Sequence, residues 1–468
     1  MEENQRGFLH HGVIAPRPAL TLYIKEHNFS VNCDPHGQPF PFPEVPGKVP
    51  QKTRLGIAQR PGGGSPMART VIRGGTRLDM DTLTLVDNEA LVIEDGVIRD
   101  SAYRADADTV VDADGQFLMP GFIDAHVHFR LATLNFARLS QWTEVQFGIA
   151  MAKLAEDAVR RGFTTVRDLG GDVVGLKRAI SSGMVRGPRI VQANLMISQT
   201  GGHGDVEGGT LSVPDCACQM RHSAFGIVAD GPDAVRKAAR HVLRAGADFL
   251  KIHVSGGVAT PMDPLDCTQY TAEEIQAAVA EARNRKTYVA AHAYTPEAIE
   301  LAVRNGVRCI EHGNFLDEST AALLAEHDVW LVPTLVTYQA MAQEGPSLGF
   351  PERNQQKNAA VLDAGVQSLA IADRAGVTMG FGTDLIGEVQ RLQRQEFAIR
   401  AAVQSPEAIL RSLYDVNRAI LKDAPIGRLA PGMAGDVVLT PVNPLERIAA
   451  LAEADAVTQV VQGGAPVL

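Results

Sequence analysis

Pro120-Gly121-Phe122-Ile123-Asp124-Ala125-His126-Val127-His128 is an apolar run that closes on two histidines one residue apart. On a strand, residues i and i+2 point to the same side, so His126 and His128 aim both imidazoles at one point. An H-x-H pair alone decides little. Four further runs close on residues of the same chemical kind. Ala247-Asp248-Phe249-Leu250-Lys251-Ile252-His253-Val254 holds a lysine in its interior. Val289-Ala290-Ala291-His292 and Ile310-Glu311-His312-Gly313 bring a histidine each, and Gly382-Thr383-Asp384 brings an aspartate.

Working outward, eight candidate strands appear at 121–128, 164–169, 189–193, 247–254, 287–293, 308–312, 330–335 and 378–384. Helical patterns separate most of them, for example Ala272–Arg285, Pro296–Asn305 and Asn358–Ala375. Alternating strand and helix predicts a parallel sheet. Eight such units over roughly 250 residues or more match a (β/α)8 TIM barrel. The candidate ligands end strands one, four, five, six and eight, on the face where barrel enzymes keep their active sites. The connection from about Leu195 to Pro232 is long and holds Thr200-Gly201-Gly202-His203-Gly204-Asp205. A loop of that length in a compact domain points to function.

The two ends of the chain read differently from its middle. Thr70–Arg73, Ala90–Ile93, Val97–Arg99 and Thr109–Val111 are short β-like runs, with Glu94-Asp95-Gly96 as a turn. Val437–Leu439 and Val457–Val461 resume that style. Chain ends often lie close together, so the two sets are expected to pair. The reading divides the chain into four parts. An extension rich in proline and glycine covers 1–66. A flanking β-sandwich takes 67–118 and 425–468, around a barrel at 119–424. The extension has no hydrophobic periodicity and is expected to be poorly ordered. Met67 reads as the start of the first strand and as an alternative translation start.

Composition sets the outer bounds. Of 468 residues, 45% are hydrophobic, enough for a large core, and the formal net charge is -10. No basic stripe marks a nucleic-acid partner. No run of about 18 apolar residues marks a membrane span. Five cysteines form no even framework, and Cys216 and Cys218 are too few for a structural zinc site. Free thiols and an N-terminus without a signal pattern point to a cytoplasmic location.

Lys251 carries the chemistry. A lysine in a buried strand is costly to desolvate. As an ammonium, with a pKa of about 10.4, it repels metal ions. Burial favours the neutral amine, which can add carbon dioxide. The carbamate is anionic and has two oxygens, so it can bridge two cations. The plain structural alternative is an ion pair with Asp168 or Asp124.

The whole set resembles the amidohydrolase superfamily in its binuclear, carboxylated-lysine form. The match runs over about residues 69–468. It includes the H-x-H after P-G-F-I-D, the strand-four lysine, both later histidines, the G-T-D aspartate and the phrase from Gly427 to Asp436. Within it, Thr164–Gly171, Lys251–Val258 and the G-G-H-G loop are similar to the prolidase-type group. That group cleaves dipeptides and N-acyl amino acids, and its relatives include enzymes that cut the amide of ochratoxin A. The resemblance implies two divalent ions, with zinc preferred. His126, His128 and Asp384 would hold one, His292 and His312 the other, with carboxylated Lys251 and a hydroxide bridging them. Asp384 would be general base and then acid. It also implies a small amide or dipeptide substrate and a homo-oligomer.

His203, His253 and Tyr338 are candidates for substrate contact, and Arg167 with Asp168 for ordering the site. Cyclic-amidase or imidazolonepropionase-like action within the superfamily is the alternative function. Lys251 counts against one-metal deaminases, and the filled ligand positions count against a non-catalytic scaffold.

Overall fold

The computed structural model describes residues 69–100, 109–139, 141–205, 221–222, 225–260 and 262–467. The extension at 1–66, with Cys33, lies outside the described residues, as do Cys216 and Cys218 in the long connection.

Asp95 and Gly96 both take positive φ, 53° and 78°. That backbone closes a two-residue hairpin between Ala90–Glu94 and Val97–Arg99. Arg69–Arg73 pairs with the hairpin, and Thr109–Asp112 lies along its other edge. A second sheet joins the two chain ends. Val437–Thr440 runs antiparallel to both Phe117–Pro120 and Gln459–Gln462. Ile72, Ile93 and Leu118 from the first end pack against Val437, Leu439 and Val461 from the second.

The middle of the chain is mixed α/β with parallel pairing. Phe122–Val127 pairs with Phe163–Asp168, and that strand with Arg189–Gln192. Gln192 accepts a bond from Asp248 N at 2.8 Å, and Ile197 pairs with Ile252. From Leu250–His253 the pairing runs through Val289–Ala293 and Cys309–His312 to Trp330–Val332. Segment 378–384, expected as the eighth strand, holds only an isolated parallel bridge from Met379 to Leu331, yet it bonds in both directions. Gly380 N donates to Leu331 O at 2.8 Å on one side. Ala125 N donates to Phe381 O at 2.8 Å, and Asp384 N to His126 O at 2.7 Å, on the other. The last segment is thus joined to the first. Helices pack around these strands and start on local signals. Thr271 and Asp317 form capping boxes, and Thr295-Pro296 opens the helix Pro296–Arg304.

Some elements differ from expectation. The connection after Leu195 holds the parallel strands Met196–Ser198 and Gly226–Val228. At three residues each they are too short for periodicity to reveal. Thr334 ends the seventh strand region early, and Leu335–Leu348 is a helix. The helix expected at 358–375 is Glu352–Arg374. Its first turns are polar because they bond to loops rather than to the core, which hid them from an apolar pattern.

Candidate active site

The parallel strands bring their C-terminal ends together, and the candidate ligands with them. His126 Nε2 lies 3.3 Å from His128 Nε2. Both nitrogens face Asp384 Oδ1, at 3.3 and 3.2 Å. His312 joins from the opposite strand, with Nδ1 3.9 Å from Asp384 Oδ2. His126, His312 and Asp384 each offer a ligand atom, all within 4.8 Å of one another. His292 stands beside this group, its ring centroid 4.6 Å from that of His312, and its Nε2 bonds Gly256 O at 3.0 Å.

Local backbone serves this convergence. His312 and Asp384 take positive φ, 76° and 52°. For residues other than glycine that conformation is costly, and it collects at functional sites. Gly382 sits so close to the first strand that a Cβ there would lie 2.9 Å from His126 Cβ and 2.5 Å from Val332 Cγ1.

His126 and His128 are each oriented through their second nitrogen. His126 Nδ1 meets Glu311 Oε2 at 2.8 Å, and Glu311 Oε1 takes Arg167 Nη2 at 2.9 Å. His128 Nδ1 donates to Gly170 O at 3.2 Å. Bonds of this kind fix ring orientation in metal sites and leave the other nitrogen free to ligate. His312 differs, because the nitrogen that meets Thr334 Oγ1 at 2.8 Å is Nδ1, the same one that faces Asp384.

Lys251 is 2% exposed. Burial pushes its ammonium down to about 8, while Glu311 and Asp384 pull the other way. The plain ion-pair alternative fails, since among the described residues neither Asp124 nor Asp168 pairs with it. Asp168 accepts from Phe129 N and Gly170 N. Asp124 accepts from Thr383, Gln393 and His126 N. Burial also pushes His253, His292 and His312 well below the usual histidine value, the neutral form that coordinates cations. Burial opposes ionisation of Asp384, but His126 and His128 outweigh it and hold the carboxyl well below its usual range.

The candidate substrate contacts gather on the same side. His203 stacks on His292 at 4.4 Å and 21°. His253 lies 5.3 Å from His203 and 5.6 Å from His292 between ring centroids, with a buried Nδ1 that has no hydrogen-bond partner among the described residues. Tyr338 is on the helix Leu335–Leu348, and its hydroxyl meets that of Tyr294 at 3.0 Å. Arg167 donates to Glu311 and to Ala125 O, and Asp168 accepts from Phe129 N and Gly170 N. Sequence reasoning assigned no role to Glu311 or Tyr294. A buried arginine and a buried glutamate in separate apolar runs need each other, and that need was the available signal for Glu311.

A model of the amidohydrolase family matches residues 117–467. The chain is 30% identical to an ochratoxinase of Aspergillus niger over 414 residues, covering 84% of this chain and 86% of that protein. It superposes on a crystal structure of an amidohydrolase with a TM-score of 0.81 and 44% identity, covering 85% of this chain and 98% of that one. A prolidase solved with N-methylphosphonate-L-proline matches with a TM-score of 0.80 and 41% identity, over 85% and 99% of the two chains.

Proposed function

The chain belongs to the amidohydrolase family, and from that premise we propose that it is a binuclear metal hydrolase of dipeptides or N-acyl amino acids. One observation carries the metal reading. Three imidazoles converge on Asp384, beside a buried lysine that has no carboxylate partner among the described residues. The donor set fits the metals. Neutral imidazoles and a carboxylate suit zinc, and Lys251 as its carbamate would add an anionic oxygen ligand.

In this reading the linked parallel strands are a (β/α)8 barrel, and the two end sheets are its flanking sandwich. His126, His128 and Asp384 would hold one ion, and His292 and His312 the other. Bound divalent ions polarise a carbonyl and lower the pKa of a coordinated water. Asp384 takes the proton of the attacking water and returns it to the departing nitrogen. Its depressed pKa keeps it ionised and ready at neutral pH. His203, His253 and Tyr338 receive the acyl carbonyl and the free carboxylate of the leaving amino acid.

Likeness to a prolidase and to an ochratoxinase favours a substrate with a C-terminal amino acid, ochratoxin A among the candidates. The test is a screen of zinc-loaded protein on Xaa-Pro, Xaa-Phe and N-acyl amino acids against hydantoins and dihydropyrimidines. Release of free amino acid from the first group is expected. Ring opening of the second group alone would replace this reading with a cyclic amidase.

A further inference from the structure

A second set of polar contacts on the rim of the site is left unused by the ligand roles above. His203 Nδ1 lies 2.9 Å from Asp263 Oδ2. The same oxygen accepts Gly257 N at 2.8 Å. Lys357 Nζ donates to the other oxygen at 3.1 Å, and to the backbone oxygens of Thr260 and Asp263 at 2.7 and 2.6 Å. One turn earlier, Asn354 donates to Val258 O and Ala259 O at 2.7 and 2.8 Å. Residues i and i+3 share a helix face. The first turns of Glu352–Arg374 therefore fasten the loop after Leu250–His253, and that loop holds Asp263.

The loop in turn holds His203. Thr260 Oγ1 donates to His203 O at 2.6 Å, and His203 N donates to Gln269 Oε1 at 2.9 Å. Gly257 leaves room for the ring, since a Cβ there would lie 2.3 Å from His203 Cε1. An imidazole has two nitrogens. Nδ1 is committed to Asp263, and among the described residues Nε2 has no hydrogen-bond partner. The ring lies nearly parallel on His292.

We propose that Asp263 and Lys357 are positioning residues that hold His203 on His292, with Nε2 presented to a substrate oxygen. The proposal rests on the amide-hydrolase reading for the identity of that oxygen. Placement of the ring does not depend on it. An arrangement that served only to fasten loops would need no imidazole, and its loss would not depend on whether His203 is present. Misplacing a contact group by about 1 Å can cost on the order of a hundredfold in rate.

The test is a double-mutant cycle read by steady-state kinetics, together with crystal structures of the variants. Asp263→Asn is expected to lower kcat/KM by roughly tenfold to a hundredfold, mostly in kcat. Added to His203→Asn, it is expected to cost less than about twofold, because the group it acts through is gone. Lys357→Met is expected to show a smaller loss with the same dependence on His203, and it stands in if Asp263→Asn does not fold. Equal penalties with and without His203 would overturn the proposal. In the crystal, the His203 ring of Asp263→Asn is expected to leave its stack on His292. A ring that stays in place would also overturn it. If the wild type hydrolyses no amide, the functional reading falls, and the crystal structures still decide the positioning claim.

Discussion

Two chains of contacts in this molecule have the same chemical order, cation to carboxylate to imidazole. Arg167–Glu311–His126 lies beneath the site, and Lys357–Asp263–His203 lies on its rim. The lower one is built from three strands, Phe163–Asp168, Cys309–His312 and Phe122–Val127. Its arginine and glutamate are 0% exposed. Arg167 also donates to Ala125 O at 3.0 Å and lies 4.5 Å over the Phe249 ring. The upper one is built from two loops and a helix end, and the side chains of His203 and Lys357 keep 11% and 12% exposure. The difference matches the tasks proposed for the two imidazoles. A metal ligand is held best by rigid strands, where small errors in geometry are suppressed. A substrate contact sits on connections, which can be rebuilt for a new substrate without disturbing the metals.

The largest effect is expected where neither chain can compensate. Lys251→Ala removes the proposed bridge, and turnover is expected to fall on the order of a thousandfold or more, about 4 kcal/mol. Bound metal should fall with it, and a short-chain carboxylate should restore part of both. Full activity without the lysine would remove the bridge from the account.

Glu311→Ala comes next and tests the lower chain. It leaves the Arg167 charge buried and unpaired, which costs about 3–5 kcal/mol of stability. It also frees His126 Nδ1, so metal affinity should drop about tenfold to a hundredfold. Denaturant unfolding and metal titration read the two effects separately. A stability loss below about 1 kcal/mol would show that the two chains do not differ as described. Asp263→Asn should reverse the balance, with a larger loss in kcat than in stability. The smallest effect is expected at Thr271→Ala, which removes a capping box whose hydrogen bonds involve no member of either chain. It should cost about 1 kcal/mol and leave kcat unchanged.

The histidine and arginine of the lower chain and the candidate ligands around it were legible from residues, but its carboxylate was not. His126, His128, Lys251, His292, His312 and Asp384 each sit in or at the end of an apolar run, and all but Asp384 lie in or next to a parallel strand. The pairing of both chain ends in one sheet was also expected, and Val437–Thr440 against Phe117–Pro120 bears it out. Glu311 was passed over because it precedes a ligand and reads as part of the same motif. Asp263 and Lys357 left no local signal. Their partner His203 is dozens of residues away in sequence, and the contact exists only after helix Glu352–Arg374 has packed over the loops. The same packing hid the start of that helix, whose polar first turns face loop backbone instead of the core.

The central claim is that Lys251 carries a carbamate bridging two metal ions, and carbon-13 NMR tests it most directly. Zinc-loaded protein prepared with labelled bicarbonate should show a carbamate carbonyl resonance, with two ions per chain by elemental analysis. Both should be lost in Lys251→Ala. A fully active, metal-loaded wild type with no such resonance would contradict the account.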